Sequence, residues 1–240
     1  MTDDSALDSF IDKWRARWPE WAVAEAFVPK EQRAVALAWA ALLQELTDAA
    51  WGGTDPRPGE AKLGWWAEEL QGWAQGARRH PLGAALQRRP APWVVLAAAL
   101  PALRDSRERP RDREEAFAAL APVAEAVAAV EAALFAAPDD AAAPAAIGAG
   151  LLHARLATSG EAAAPLSVLA RAQAGEGATI WAAELLQYWP RRAAVSRPRA
   201  LWAELAASRL RRGDAARPLP AWSALRAAWR GARRSPGAGA

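Results

Sequence analysis

Two acidic side chains, Glu45 and Asp48, stand three residues apart in the stretch "AALLQELTDAAW". On a helix that spacing puts both carboxylates on one face. There they can hold magnesium, a cation that takes oxygen ligands in near-octahedral geometry and bridges carboxylate to diphosphate. The plainer alternative is a solvated pair on the polar side of a helix. A second pair, His153 and Arg155 in "LLHARLATSG", offers an imidazole and a guanidinium to a phosphate without metal. The same side chains also read as a structural histidine and a surface arginine. Asp139 and Asp140 read as a loop or helix-start pair, since acids favour helix N-termini. Towards the C-terminus, Trp222, Leu225 and Trp229 make a narrow stripe flanked by Arg226, Arg230 and Arg233. At a spacing of four, Arg226 can stack on Trp222 and Arg233 on Trp229. Tryptophan beside arginine suits an interfacial helix, with rings at headgroup level and guanidinium groups reaching phosphate. The alternative is a last helix docked on the body of the protein.

Other chemistries find little to work with. There is no cysteine, which excludes disulfide and thiolate chemistry, and two histidines, His80 and His153, make a zinc site improbable. No glycine-rich phosphate loop or nucleophile–base arrangement stands out. The net charge of +3 hides an asymmetry: from Arg191 onward twelve arginines face only Glu204 and Asp214. A basic end attracts anionic lipid, nucleic acid or an acidic partner, or is simply a solvated face. With no recognisable nucleic-acid module, no nucleic-acid partner is expected.

The elements that must position these residues read as helices throughout. Alanine, leucine, glutamate, arginine and glutamine dominate, and apolar residues recur at spacings of three and four. Apolar content of 52% and charged content of 24% are globular values. Pro29 suits the first turn of a helix running to about residue 50, and "GGTDPRPGE" is a turn. A helix to about Gly76 follows, and then helices near 81–88, 92–105, 111–136, 142–158, 163–173, 177–189, 198–212 and 219–232. The expected organisation is one helical domain over residues 1–234, with 235–240, "SPGAGA", a disordered tail. The start, "MTDDSALDSF", lacks the basic and apolar regions of a signal peptide, and the longest apolar run, Pro92 to Leu103, is too short to span a bilayer. A soluble cytoplasmic protein is expected, peripheral to the inner membrane if the C-terminal helix binds lipid.

One helix concentrates aromatic residues. In "AKLGWWAEELQGWAQGARRHPLGAAL", Leu63, Trp66, Leu70 and Trp73 form one stripe. Trp65, Glu69, Gly72 and Gly76 form the neighbouring row, whose glycines would admit another backbone. His80-Pro81 ends the helix, because the residue before proline avoids helical geometry. The stripe reads as core packing, or as the wall of an apolar cavity; periodicity does not separate the two.

Together, "FVPKEQRAVALAWAALLQELTDAAW" and "AKLGWWAEELQGWAQGARRHPLGAAL" resemble the squalene/phytoene synthase family, with its proline-and-arginine helix start, its "WW..E" helix and its "HP...AL". The resemblance is densest over Phe27–Leu86 and continues through "EEAFAALAPVAEAVAAVEAALF" and "IGAGLLHARLATSG". It implies an all-α fold, an isoprenoid synthase-type helical bundle around a central cavity. Active members of that family join two prenyl diphosphates head to head through magnesium ions held by two aspartate-rich motifs on facing helices.

This chain departs from those motifs. The first should fall near Thr47–Trp51, where only Asp48 is acidic, or at Gln44–Asp48, which keeps Glu45 and Asp48 but starts with glutamine. The second should fall in Leu151–Gly160, which contains no carboxylate and places Arg155 where a cation opposes magnesium. A single tyrosine, Tyr188, stands in place of the active synthases' tyrosine-rich segments. The pattern resembles the family's degenerate branch, which includes a mitochondrial complex I assembly factor. The resemblance thus implies a protein without prenyltransferase activity that acts in assembly or binds isoprenoid or lipid. It then needs no cofactor, and its cavity residues would include Trp51, Trp65, Trp66, His153 and Arg155. Its partners would be a prenyl diphosphate or other lipid, a protein in assembly, and an anionic membrane surface at Trp222, Arg226, Trp229 and Arg233. The alternative is an active head-to-head prenyltransferase with displaced motifs, using Mg2+ at Glu45 and Asp48.

Overall fold

A computed structural model describes residues 3–138, 140–190 and 193–234. Among these residues the chain is all-helical, without strands, and folds as a helical bundle around a central cavity. The α-helices are α1 (Asp3–Arg17), α2 (Trp21–Ala24), α3 (Lys30–Trp51), α4 (Arg57–Ala74), α5 (Gly83–Leu86) and α6 (Trp93–Asp105). They continue as α7 (Arg113–Phe135), α8 (Ala143–Ser159), α9 (Leu166–Leu169), α10 (Gly177–Gln187), α11 (Arg197–Leu210) and α12 (Ala221–Arg234). The expected tail, 235–240, and Asp139 lie outside the described residues.

The bundle is organised on α3. Pro29 precedes its first turn with extended ψ, and Gly52 ends it. Between them Ala36, Ala38, Trp39 and Leu42 are buried on successive sides, because the helix packs against α1, α4, α6 and α8 at once. Alanine-rich faces let these neighbours approach closely. Further contacts run α4 to α6, α6 to α7, α7 to α8 and α8 to α11, with α10 against α8 and α11, and with α12 laid on α11 and α2. Tryptophans fill the wider gaps. Trp66 meets Trp73 edge-on at 6.4 Å between ring centroids, and Trp73 meets Trp93 at 5.1 Å. Such edge-to-face pairs suit the ring quadrupole.

Several expectations need correction. α1 was not read from the sequence, although Leu7, Ile11, Trp14 and Trp18 have helical spacing. The helices expected near 81–88 and 163–173 contract to the single turns α5 and α9. Gly72 and Gly76, the glycines of the expected row, do not admit another backbone, whereas Gly59 in the first turn of α4 does: a Cβ there would collide with the Ala49 carbonyl oxygen of α3. Gly72 faces only Ala77, in the turn that follows its own helix, and Gly76 lies beyond the end of α4 with a left-handed φ of 83°. A second close approach comes at Gly231 of α12, where a Cβ would stand 2.7 Å from the Ala200 carbonyl oxygen of α11. The helix expected near 111–136 is α7, and it, not the stretch Pro92 to Leu103 weighed as a span, is the one described helix long and apolar enough to cross a membrane. Here α7 packs between α6 and α8 and buries Leu120, Val123, Val127 and Val130.

Candidate functional site

A cavity of about 320 Å3 opens between α1, α3, α8 and α11. Trp14, Trp18 and Trp202 supply aromatic wall, and Ala40, Leu43, Leu151, Ala154 and Ala157 supply aliphatic wall. Its polar lining is Gln44, Thr47, His153, Thr158 and three arginines, Arg17, Arg199 and Arg209, with no carboxylate among the lining residues.

Each arginine is matched by an acid set behind the wall. Arg17 pairs with Asp48 at 2.6 Å. Arg199 pairs with Glu131, whose carboxylate also accepts from the Trp39 indole at 2.8 Å. Arg209 donates to both oxygens of Glu20, at 2.8 and 2.6 Å, and to the Arg17 carbonyl. Leu219 N–H completes the set around Glu20 at 2.8 Å. The Arg199–Glu131 and Arg209–Glu20 pairs are fully buried, a setting in which neither charge can lose its partner cheaply. Arg209 also lies over the Trp18 ring at 4.0 Å and Arg199 over Trp202 at 5.2 Å.

His153 is the sequence-derived cavity residue that lines this space. It is 1% exposed, its ring centroid lies 5.7 Å from that of Trp18, and its Nε2 has no hydrogen-bond partner. Burial first, and then the Arg209 charge, push its pKa down to about 3, against a backbone hydrogen bond with Ala215. The imidazole is therefore neutral at physiological pH. Gln44 and Trp202 are of the same kind: Gln44 is buried with an unpartnered Oε1, and Trp202 is buried with an unpartnered Nε1.

The other expected site residues are not among those lining the cavity. Arg155 is two residues from His153, which turns it to the other side of α8. There it donates to the Arg107 and Glu108 carbonyls, so the two do not form a phosphate pair. Burial, with Arg109 and Arg107 nearby, lowers its pKa to about 10. Trp51 donates its indole N–H to Ser106 at 3.1 Å, tying α3 to the end of α6. Trp65 and Trp66 enclose His80 together with Phe10. Burial drives the His80 pKa down to about 4, outweighing the nearby Glu45 and Glu69 charges. Glu69 accepts from the Trp73 indole and from the backbone N–H groups of Arg79 and His80 at 2.7–2.8 Å. The "WW..E" and "HP" residues thus fasten one turn to one helix and serve as scaffold.

Glu45 and Asp48 are neither solvated nor free. Glu45 is buried between Lys13 and Lys62, each 2.6 Å away, and Asp48 meets Arg17 and Lys13. Burial would raise the Glu45 pKa, but hydrogen bonds from Lys13 and Lys62 outweigh it and hold the carboxyl below its usual value. Both acids sit beside the cavity-facing stripe of Leu43 and Thr47, not on it. Among the described residues no group of three or more His, Asp or Glu side chains is arranged to hold a metal ion.

α12 docks on α11, but through its small-residue face: Ala224, Ala227, Ala228 and Gly231 are buried. The stripe read from the sequence faces outward, with Trp222 75% and Trp229 51% exposed. Arg233 stacks over Trp229 at 4.7 Å, whereas Arg230 and Arg234 are held by Glu204 of α11. Arg226 stands exposed on the stripe's flank.

Sequence reasoning missed Trp14, Arg17, Trp18, Gln44, Arg199, Trp202 and Arg209. A signal existed for the last: Arg209 interrupts the otherwise small and apolar "LAASRL" of a helix interior. Comparison with known protein families, with curated proteins and with solved structures finds no match.

Proposed function

We propose that this chain is a non-catalytic relative of the squalene/phytoene synthases that binds an isoprenoid or other lipid in its cavity, alone or in the assembly of a partner protein. The carrying observation is the chemistry of two helix faces on the same cavity. α3 presents Ala40, Leu43 and Thr47, and α8 presents Gly150, Ala154, Ala157 and Thr158. Ionising an allylic diphosphate requires stabilising the charge that develops on the leaving group, which magnesium does as a Lewis acid once carboxylates hold it. Neither face offers a carboxylate, and the nearby Glu45 and Asp48 are neutralised by Lys13, Lys62 and Arg17. The test is diphosphate release from farnesyl and geranylgeranyl diphosphate, with and without magnesium. Folded protein is expected to release none. Magnesium-dependent release, lost on Asp48→Asn, would establish the active-transferase alternative instead.

A membrane-surface role is supported by a separate observation, the outward stripe of Trp222, Leu225 and Trp229 beside Arg226 and Arg233. Since α12 docks without using these rings, they are free to enter the headgroup layer while the arginines meet lipid phosphate. The protein is expected to float with liposomes containing anionic lipid. Trp222→Ala combined with Trp229→Ala should abolish flotation and leave the melting temperature unchanged; flotation that survives the double substitution would remove α12 as the contact.

A further inference from the structure

Resting on the reading of the cavity as a ligand site, we propose that its ligand is an uncharged amphiphile: an apolar or aromatic body bearing a hydroxyl or comparable hydrogen-bond donor, taken in preference to a diphosphate or other anion. The first ground is what the cavity lacks a partner for. Three residues more than nine-tenths buried line the cavity with an unpartnered polar atom: His153 Nε2 and Gln44 Oε1, which accept, and the Trp202 Nε1–H, which donates, a set that a hydroxyl can serve as donor and acceptor at once. An orphaned buried polar atom carries a desolvation penalty that a complementary group on a ligand relieves. His153 is held neutral by burial and by Arg209. With the Ala215 backbone engaged, its free nitrogen presents a lone pair, which asks a ligand for a donor.

The second ground is electrostatic. Three arginines on a cavity wall would ordinarily point to an anion. Here each has its own carboxylate: Asp48 for Arg17, Glu131 for Arg199, and Glu20 for Arg209. Glu131 and Glu20 are themselves buried and would be stranded if an anion drew their arginines away. A diphosphate would bring several negative charges into a wall whose charges already cancel, with no group to offset its desolvation. A hydroxyl carries no such penalty.

The third ground is the rest of the wall. Trp14, Trp18 and Trp202 with Leu43 and Leu151 bury an apolar body, and a volume of about 320 Å3 lies within the range of small-molecule sites.

The test titrates the full chain, without metal, with farnesol, farnesyl methyl ether and farnesyl diphosphate, following tryptophan fluorescence and heat of binding. Farnesol is expected to bind saturably and about tenfold or more tighter than the ether, which lacks the donor, and than the diphosphate. Gln44→Leu should erase part of the preference for alcohol over ether. Ala154→Leu, which fills the cavity from α8, should abolish binding of all three. Should His153→Leu fail to fold, the Gln44 and Ala154 variants still decide the question. A diphosphate that binds as tightly as the alcohol, or an ether indistinguishable from it, overturns this inference and leaves the binding reading intact. Absence of binding by every probe overturns the binding reading itself.

Discussion

At the scale of single residues, burial decides which titratable groups can act. His153 is the clearest case. Its folded pKa of about 3 lies far below the unperturbed 6.5. The unfolded chain therefore takes up a proton at this residue as pH falls below about 6.5, while the folded chain does not. The stability contributed by neutral His153 is complete above pH 6.5 and is lost as pH falls towards 3. The slope approaches about 1.4 kcal/mol per pH unit once the unfolded imidazole is fully protonated. His80, with a folded pKa of about 4, acts in the same direction. We expect the unfolding free energy to fall measurably between pH 7 and pH 5, above the range where most carboxylates titrate. His153→Gln should flatten part of that slope. A wild-type stability indifferent to pH over this interval would show that His153 is solvated, contrary to its burial.

At the scale of elements, packing depends on which face a helix commits to its neighbour, and periodicity alone does not always say. α3 was legible because Pro29 and Gly52 bracket it and its apolar residues recur without interruption. α12 was legible as a stripe but not in its orientation. Trp222, Leu225 and Trp229 make the obvious apolar face, yet Ala224, Ala227, Ala228 and Gly231 make the closer fit against α11. α1 was passed over because its acidic and basic residues mask Leu7, Ile11 and Trp14, although that spacing was available. The glycine at position 231 carries a direct consequence. A methyl group there would meet the Ala200 carbonyl oxygen at 2.7 Å and the Leu201 Cα at 2.9 Å, backbone atoms with no rotamer to move aside. Gly231→Ala is expected to push α12 off α11 and cost about 1–3 kcal/mol, the usual range for overpacking. Proteolysis within 221–234 should accelerate in the variant; a melting temperature equal to wild type would mean that α12 is loosely held already.

At the scale of the whole molecule, the cavity exists because residues far apart in the chain are clamped behind its wall. Lys13 and Arg17 reach Glu45 and Asp48, Glu131 reaches Arg199, and Glu20 reaches Arg209 across nearly the full length of the sequence. No local pattern announces such pairs. Glu45 and Asp48 read equally well as metal ligands until Lys13, Lys62 and Arg17 are placed beside them. Helix existence was therefore largely readable and the composition of the cavity was not, since four separate helices build it. The Glu20–Arg209 pair makes this dependence measurable. Both side chains are 1% exposed, and Glu20 also accepts from Leu219 N–H, joining α11 and the approach to α12 to the turn after α1. Glu20→Gln keeps the shape but strands the Arg209 charge in the interior, a change expected to cost roughly 3–5 kcal/mol. Adding Arg209→Met to that variant removes the stranded charge and should recover a substantial part of the loss. Chemical denaturation of the wild type, the single variant and the double variant reads this directly. Recovery in the double variant would show that the pair fixes how the wall is assembled more than it adds net stability. A single variant as stable as wild type would mean that water already reaches Arg209.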